Sequence, residues 1–509
     1  MQLFRNSFLT VVALALLAGS GRVRAAEWTP SLTITGAATL SDNAQLRPKG
    51  QEEADLILSV SPTIGVRKEG ARLKVRGSYS PYLYAYVAGT GEGTVRNMLS
   101  GTASLEAVQN FFYVDARATI NQSFLTPFGP QPGDLGSATA NRVETRTLGL
   151  TPYIRGRLHG GSTYLLRDDI AYTSFNSGTQ PDILGHAVSA QWMGVSDRFF
   201  VPSAEYNLVT QQFGSQQPFV AQTGRLRGTL NLNPEVQLFA SGGYEHNDYV
   251  LNEQYGPIYG GGIGWKPSPR TNIRVSAEHR FFGNTFDIDA AYRTPLSAWI
   301  FRAGRRITTS QQQVLQAGNA GMRTALDSLL STLIPDPVDR AHAVDRILAQ
   351  GNFGSLAVGP TPILAPRVLL IESYDPTIAF MGKRTTVSFN AFWRRTTPLS
   401  EAVAATPVDP FNSLGVITQK GGGIGLAYKF DPVLSGDASA FRTISDGSPT
   451  ATSPATQKTW QSIFRIGLTR QIDPKTFASA GVRWQIFNSN LFDDYRERAV
   501  LVNVTHIFF

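Results

Sequence analysis

The six His residues are the first place to look for metal or acid–base chemistry. They are His159, His186, His246, His279, His342 and His506, and no two have metal-ligand spacing. His279 and His506 fall on strand-like stretches, where a girdle or lumen position accounts for them. The chain has no Cys, which excludes a thiol nucleophile, a zinc-thiolate site, a disulfide scaffold and covalently attached haem. Two Gly-Gly-Gly-Ile-Gly runs, Gly260–Gly264 and Gly421–Gly425, invite comparison with phosphate loops. Neither leads into Gly-Lys-Ser/Thr or a helix, so close strand packing is the better explanation. No Gly-x-Ser-x-Gly elbow with a nearby His supports a hydrolase. These residues give no catalytic centre, no metal site and no cofactor, and the chain is not expected to be an enzyme.

Arginine is what remains. The chain carries 46 basic against 38 acidic residues, and all but nine of the bases are Arg. A guanidinium pairs bidentately with carboxylates and stacks on flat faces. On one face of alternating segments stand Arg72, Lys74, Arg76, Arg117, Arg155, Arg225, Arg227, Arg274, Arg280, Arg302, Arg306, Arg465 and Arg483. One explanation is ordinary lumen solvation, with Asp115, Glu245 and Glu278 as counter-charges. The other is a basic conduit for an acidic polymer. The sequence pI of about 9.6 does not imply nucleic-acid binding, because the charge is spread over strands rather than clustered.

The elements that position these residues repeat with a period of two. In Phe112–Asn121, Phe112, Val114, Ala116, Ala118 and Ile120 share one face, and Tyr113, Asp115, Arg117, Thr119 and Asn121 the other. Leu226, Leu230 and Leu232 oppose Arg225, Arg227 and Asn231 in the same way. A soluble sandwich also alternates, with its apolar face turned to a core. Three features favour a membrane barrel, whose apolar face meets lipid. The strands run ~9–12 residues, enough for a tilted span. Charges such as Arg274, Glu278 and Arg280 lie deep within them. Short turns, for example Asn233-Pro234, Asp431-Pro432 and Asp473-Pro474, alternate with longer polar links such as Thr126–Asn141, Thr397–Asn412 and Ile444–Gln457. With 17% charged and 10% aromatic residues, the composition agrees. Trp299, Trp393, Trp460 and Trp484 fall on the apolar faces and suit interfacial belts.

The expected fold is therefore all-β: a transmembrane antiparallel up-and-down barrel of about 22 strands, within a range of roughly 18–24. Residues 1–25 read as a signal peptide, with Arg5 before an apolar core (Leu9–Gly19) and Val23-Arg24-Ala25 at the cleavage site. Residues 26–509 then form the barrel, placed in the outer membrane of a Gram-negative cell. One segment breaks the alternation. Gln311–Gln350 (residues 311–350) has helical spacing from Val314 to Leu348, with Asp336-Pro337 opening a second helix and Gly351 ending it. It is expected to be a helical hairpin insert that hangs from the outer rim and constricts the pore, with a surface cap or a partner-binding arm as the alternative. Phe509 closes an alternating strand with Ile507 on the same face, the form of the signal read by the barrel assembly machinery.

Several stretches together resemble the PEP-CTERM system-associated outer-membrane protein family, which accompanies exopolysaccharide gene clusters. They are Trp28-Thr29-Pro30 with Ser41-Asp42-Asn43, then Asp55–Tyr86, and Thr151-Pro152-Tyr153. The most specific is Ile334-Pro335-Asp336-Pro337 with Arg340, Val344 and Leu348, leading to Met381-Gly382-Lys383-Arg384 and the strand Val387–Arg395. There is a looser similarity to putative β-barrel porins. The resemblance implies an outer-membrane barrel, in contact with lipid, serving exopolysaccharide production or export alongside periplasmic export proteins. It supplies no catalytic residues. A non-conducting barrel that anchors an envelope complex, and a diffusion porin for small solutes, stand as alternatives.

Overall fold

Alternation becomes geometry in a single closed sheet. The computed structural model describes residues 28–196, 198–249, 253–316, 327, 330, 359–402, 406, 409–450, 454 and 456–509. The expected signal peptide, residues 1–25, lies outside them. The first strands are β1 (Thr29–Ser41), β2 (Asp55–Glu69), β3 (Leu73–Tyr86), β4 (Thr94–Val108), β5 (Phe112–Phe124), β6 (Arg142–Arg157), β7 (Thr163–Phe175) and β8 (Ile183–Met193). Next come β9 (Phe200–Phe213), β10 (Phe219–Asn231), β11 (Val236–Asp248), β12 (Glu253–Ser268), β13 (Thr271–Arg280), β14 (Gly283–Arg293) and β15 (Ser297–Thr308). The last are β16 (Leu369–Met381), β17 (Thr385–Pro398), β18 (Leu414–Lys429), β19 (Leu434–Pro449), β20 (Gln457–Asp473), β21 (Thr476–Ser489) and β22 (Tyr495–Ile507).

The 22 strands form one antiparallel sheet in which each pairs with its sequence neighbours. Closure comes from β1 against β22, in register from Thr33↔Ile507 to Ser41↔Ala499. The result is an up-and-down barrel with no free edge. Its odd strands run from the turn end to the loop end and its even strands return, so both described termini lie at the turn end.

Cross-strand pairs share a face, so the register fixes which side chains point inward. Arg225 pairs with Gly243 and Arg227 with Ser241. Ser241 pairs with Gly260, and Gly260 with Glu278. The intervening residues form the exterior, where Ile64, Leu226 and Ile466 are each more than half exposed. Similar exposed aliphatic or aromatic side chains lie on strands around the circumference, including Leu150, Leu166, Val275, Ile424 and Val502. Such a belt has no place in water and needs lipid. Aromatic residues flank it. Trp192, Trp265 and Trp299 stand near the turn end, and Tyr172, Trp393 and Trp460 nearer the loop end. The exterior also carries Trp484, His279 and His506. His279 stacks on Tyr259, and His506 hydrogen-bonds Thr476.

Strand length departs from the expectation. The strands run from 10 residues in β13 to 17 in β20 rather than ~9–12. Tilted ~40° at ~3.3 Å per residue, ten residues rise about 25 Å and just span the apolar band. The longer strands project beyond it as sheet. Outward Asp446, at the loop end of β19, approaches Lys420 at 3.4 Å and Lys458 at 3.9 Å, a pairing suited to water rather than hydrocarbon. Ile444–Pro449, expected in a loop, thus belongs to β19.

The glycine runs are strand interior, as close packing requires. A Cβ on Gly262 would meet Val275 O at 2.3 Å and the Phe239 ring at 2.4 Å. One on Gly421 would meet the Phe392 ring at 2.7 Å. Each run leaves room for an inward aromatic ring to lie against the wall.

Candidate functional site

The inner wall and the loops folded onto it make up the site. Register places Lys74, Arg76, Arg117, Arg155, Arg225, Arg227, Arg274, Arg280, Arg302, Arg306, Arg465 and Arg483 on the inner face. Arg72 differs. It lies in the turn between β2 and β3 and donates to Gln109 of the next turn at 3.4 Å, so it sits at the mouth rather than on the wall. The same face also holds Arg67, Arg96, Arg157, Arg167 and Arg394, which share the parity of the others but were missed from sequence.

These cations do not act as one ladder. At the turn end, Glu69 holds Arg67 and Arg76, each at 3.2 Å, and Arg155 lies 4.4 Å over the Tyr113 ring. Deeper in, Arg117 lies across Gly149, where a Cβ would come within 2.6 Å of its Nε. Arg167 grips Asp169, which also accepts from Thr151 at 2.7 Å. Arg302 pairs with Asp289 at 3.4 Å, while Arg306, Arg302 and Arg394 share the field of Asp375. Arg465 lies in the field of Asp134, Asp437 and Glu497, next to Arg483.

The wall from β10 to β15 is organised differently. Arg225 binds Glu278 at 2.9 Å, and Ser241 donates to the same carboxylate at 3.2 Å. Arg280 binds the fully buried Glu245, which also accepts from the Phe281 N–H at 3.0 Å. Arg227 and Arg274 instead stack on Phe239, 5.0 and 5.8 Å from the ring centre. Neither has a carboxylate partner among the described residues. A cavity of about 270 Å³ opens at this wall, lined by Arg225, Arg227, Arg274 and Arg280 among others.

Three loops at the loop end turn into the barrel. The first, residues 125–141 between β5 and β6, is braced by Arg142, which donates to the carbonyls of Asp134, Leu135 and Ser137. Its Gly133 N–H donates to Gln485 of the wall at 3.2 Å, and Gln461 donates to Gln131 O at 2.6 Å. Asp134 meets Arg483, which also holds Glu497 at 3.1 Å. Arg483 is fully buried, so this candidate lumen cation is a loop anchor. Burial works against ionisation of Asp134, but Arg483 and the Ser137 N–H more than offset it and hold its carboxyl below the ordinary value.

The second loop joins β15 to β16. It starts as helix α1 (Ser310–Gln316), the described beginning of the expected hairpin. Most of residues 311–350 lies outside the described residues. α1 is fastened to the inner wall: Gln311 donates to Ala171 O at 2.9 Å and accepts from Gln211 at 3.1 Å. Gly185 makes this possible, since a Cβ there would lie 2.3 Å from the Gln311 amide oxygen. The returning stem is clamped by Gln419, which accepts from Thr361 N at 2.8 Å and donates to Thr361 O at 3.0 Å.

The third loop, between β17 and β18, supplies Asp409, which accepts from Arg367 at 2.6 Å. Phe128, Ile363, Leu369, Phe411, Leu414 and Ile417 then pack from all three loops and the adjoining strands into one buried apolar cluster. Sequence reasoning missed the clamps Gln311, Gln419 and Gln485, because a Gln on a polar strand face looks like ordinary lumen lining.

No protein-family model matches this chain, and no curated protein is similar to it in sequence. Solved structures resembling it include the siderophore receptor PirA from Acinetobacter baumannii. That alignment has 9% identity over 94% of this chain and 80% of the receptor, with a TM-score of 0.46. Another is OccK1 (OpdK) from Pseudomonas aeruginosa, at 9% identity over 94% of this chain and 99% of that one, with a TM-score of 0.36. At these scores nothing about the cargo or gating of this barrel follows from either.

Proposed function

We propose that this chain is an outer-membrane conduit taking part in exopolysaccharide production or export. It reaches the membrane after signal-peptide cleavage and inserts through the barrel assembly machinery. The observation that carries the reading is the wall from β10 to β15, where Arg227 and Arg274 stack on Phe239 with no carboxylate partner among the described residues. A lumen evolved only for solvation needs no such excess, because neutral polar side chains hydrate it without repulsion. The resemblance to the PEP-CTERM system-associated family supports the exopolysaccharide link.

A planar bilayer tests the conduit. Purified barrel is expected to give ion conductance with anion selectivity that weakens as salt rises. Cation selectivity would overturn the basic-path reading. An absence of any conductance would favour the second reading, a barrel that anchors an envelope complex. The dense clamping of three loops inside the lumen is what speaks for that alternative. Permeation of small neutral sugars as fast as small anions would indicate a general diffusion porin.

A further inference from the structure

Within the basic wall, two kinds of arginine stand side by side. Arg225 and Arg280 have their charge answered by Glu278 and Glu245. Arg227 and Arg274 both lie over the Phe239 ring and have no carboxylate partner among the described residues. Stacking fixes the plane of a guanidinium but leaves its N–H edge unused. The Phe239 ring can lie there because Gly262 carries no side chain. The two neutralised arginines and the two that lie over Phe239 all line one cavity of about 270 Å³, together with Glu278 and Asp287.

We propose that this cavity is a binding site for a carboxylate-bearing sugar residue, with Arg227 and Arg274 as its carboxylate clamp. This rests on the reading of the barrel as a conduit and names the chemistry of its cargo. Both guanidiniums reach the same cavity from one ring, and a guanidinium fork is the arrangement that a carboxylate accepts bidentately. A volume of about 270 Å³ suits one hexose-sized ring and is too small for a folded partner. Glu278, Asp287, Ser276 and Thr285 also line the cavity and supply acceptors and hydroxyls suited to ring hydroxyls. The site thus holds one acidic residue of a chain at a time, which fits passage better than storage.

The test is calorimetric titration of the detergent-solubilised full barrel with oligogalacturonate, a neutral oligosaccharide of equal length, and succinate. Oligogalacturonate is expected to bind, more weakly at high salt, and the neutral oligosaccharide is not. The R227Q/R274Q variant is expected to lose at least tenfold in affinity, and R227K/R274K, which keeps the charge but not the fork, to fall between. Heat-modifiable migration on gels verifies that each variant is folded. No binding by the wild-type barrel, or equal binding by R227Q/R274Q, overturns the proposal. Succinate binding as tightly as oligogalacturonate overturns its saccharide part. Conductance is measured separately, so a barrel that conducts anions but binds no oligogalacturonate defeats this inference while leaving the conduit intact.

Discussion

Arg483 on the inner face of β21 meets Asp134 in the β5–β6 loop, a contact between residues 349 apart in sequence. Glu497 on β22 completes the triad from the wall side. The pair is a polar tie between the barrel and a loop that folds into its lumen. Neutral hydrogen bonds such as Gly133 N–H to Gln485 contribute roughly 0.5–1.5 kcal/mol each. Hydrogen bonds to charged groups contribute about 1.5–3 kcal/mol, and Arg483 keeps Glu497 when Asp134 is removed. The ion pair therefore outweighs any single neutral bond of the loop.

Asp134→Asn is expected to free the loop without unfolding the barrel, whose ladder does not involve Asp134. Single-channel recordings should show a higher mean conductance and more frequent transitions than wild type. Unchanged conductance in a heat-modifiable, folded variant would show that the loop is held by its other contacts.

Acid should act through the same contact. The Asp134 carboxyl ionises more readily in the docked loop than when released, since Arg483 and Ser137 together more than offset its burial. A group with a depressed value in the docked state stabilises that state above its ordinary value and ceases to as pH falls through the lowered one. Conductance is thus expected to stay level from neutral pH to about 5 and to rise below about 4. Glu497, Arg465 and Arg142 also surround the contact, so Asp134→Asn is the control. If that variant retains the full acid-induced rise, another carboxylate is responsible.

The barrel was legible in the sequence because each strand states its own two faces. Leu226 between Arg225 and Arg227 needs no distant information to be placed outward. Pro and Asn at the short turns marked the turn end equally locally, as Asn233-Pro234 shows. The lumen contents were not legible in this way. Arg483 looks like Arg274 in its strand, and only the fold brings Asp134 to one and leaves the other stacked on Phe239. Gln311 looked like the start of an apolar helical stripe, yet its amide hydrogen-bonds to a wall carbonyl. Strand ends blurred for a third reason: sheet continues above the apolar band, where outward residues such as Asp446 turn polar and mimic a loop.

Gly262→Val should disturb the barrel more than its single added side chain suggests. The new Cβ would sit 2.3 Å from Val275 O, a backbone atom that cannot move without shifting β13. Overpacking of this kind costs about 1–3 kcal/mol, and the Phe239 ring must also lift from the wall. A lower temperature for loss of heat-modifiable migration is expected. A wild-type value would mean that the strands can part locally.

Deleting Phe509 is expected to slow assembly. Its carbonyl accepts from Leu32 N at 3.0 Å and so belongs to the seam that closes the barrel. The deletion should lower outer-membrane levels and raise periplasmic degradation. Unchanged surface labelling would remove the assembly-signal reading.

The insert between β15 and β16 is expected to constrict the pore. With strands ~4.8 Å apart and tilted ~40°, 22 of them enclose a backbone cylinder roughly 40 Å across, wide enough to leak periplasmic contents if empty. The two stems of the insert lie side by side inside it, since Ser310 hydrogen-bonds both the carbonyl and the N–H of Ala365. The two stems are fastened to separate parts of the inner wall, Gln311 to β7 and Thr361 to β18. Replacing residues 311–350 with a short Gly-Ser link removes the Gln311 fastening and everything carried beyond it. Single-channel conductance should rise, and cells should become sensitive to large antibiotics. The Asp134 latch remains in that variant, so the increase should grow further when Asp134→Asn is added. A barrel that assembles normally yet keeps wild-type conductance and antibiotic resistance would show that the insert does not constrict the pore.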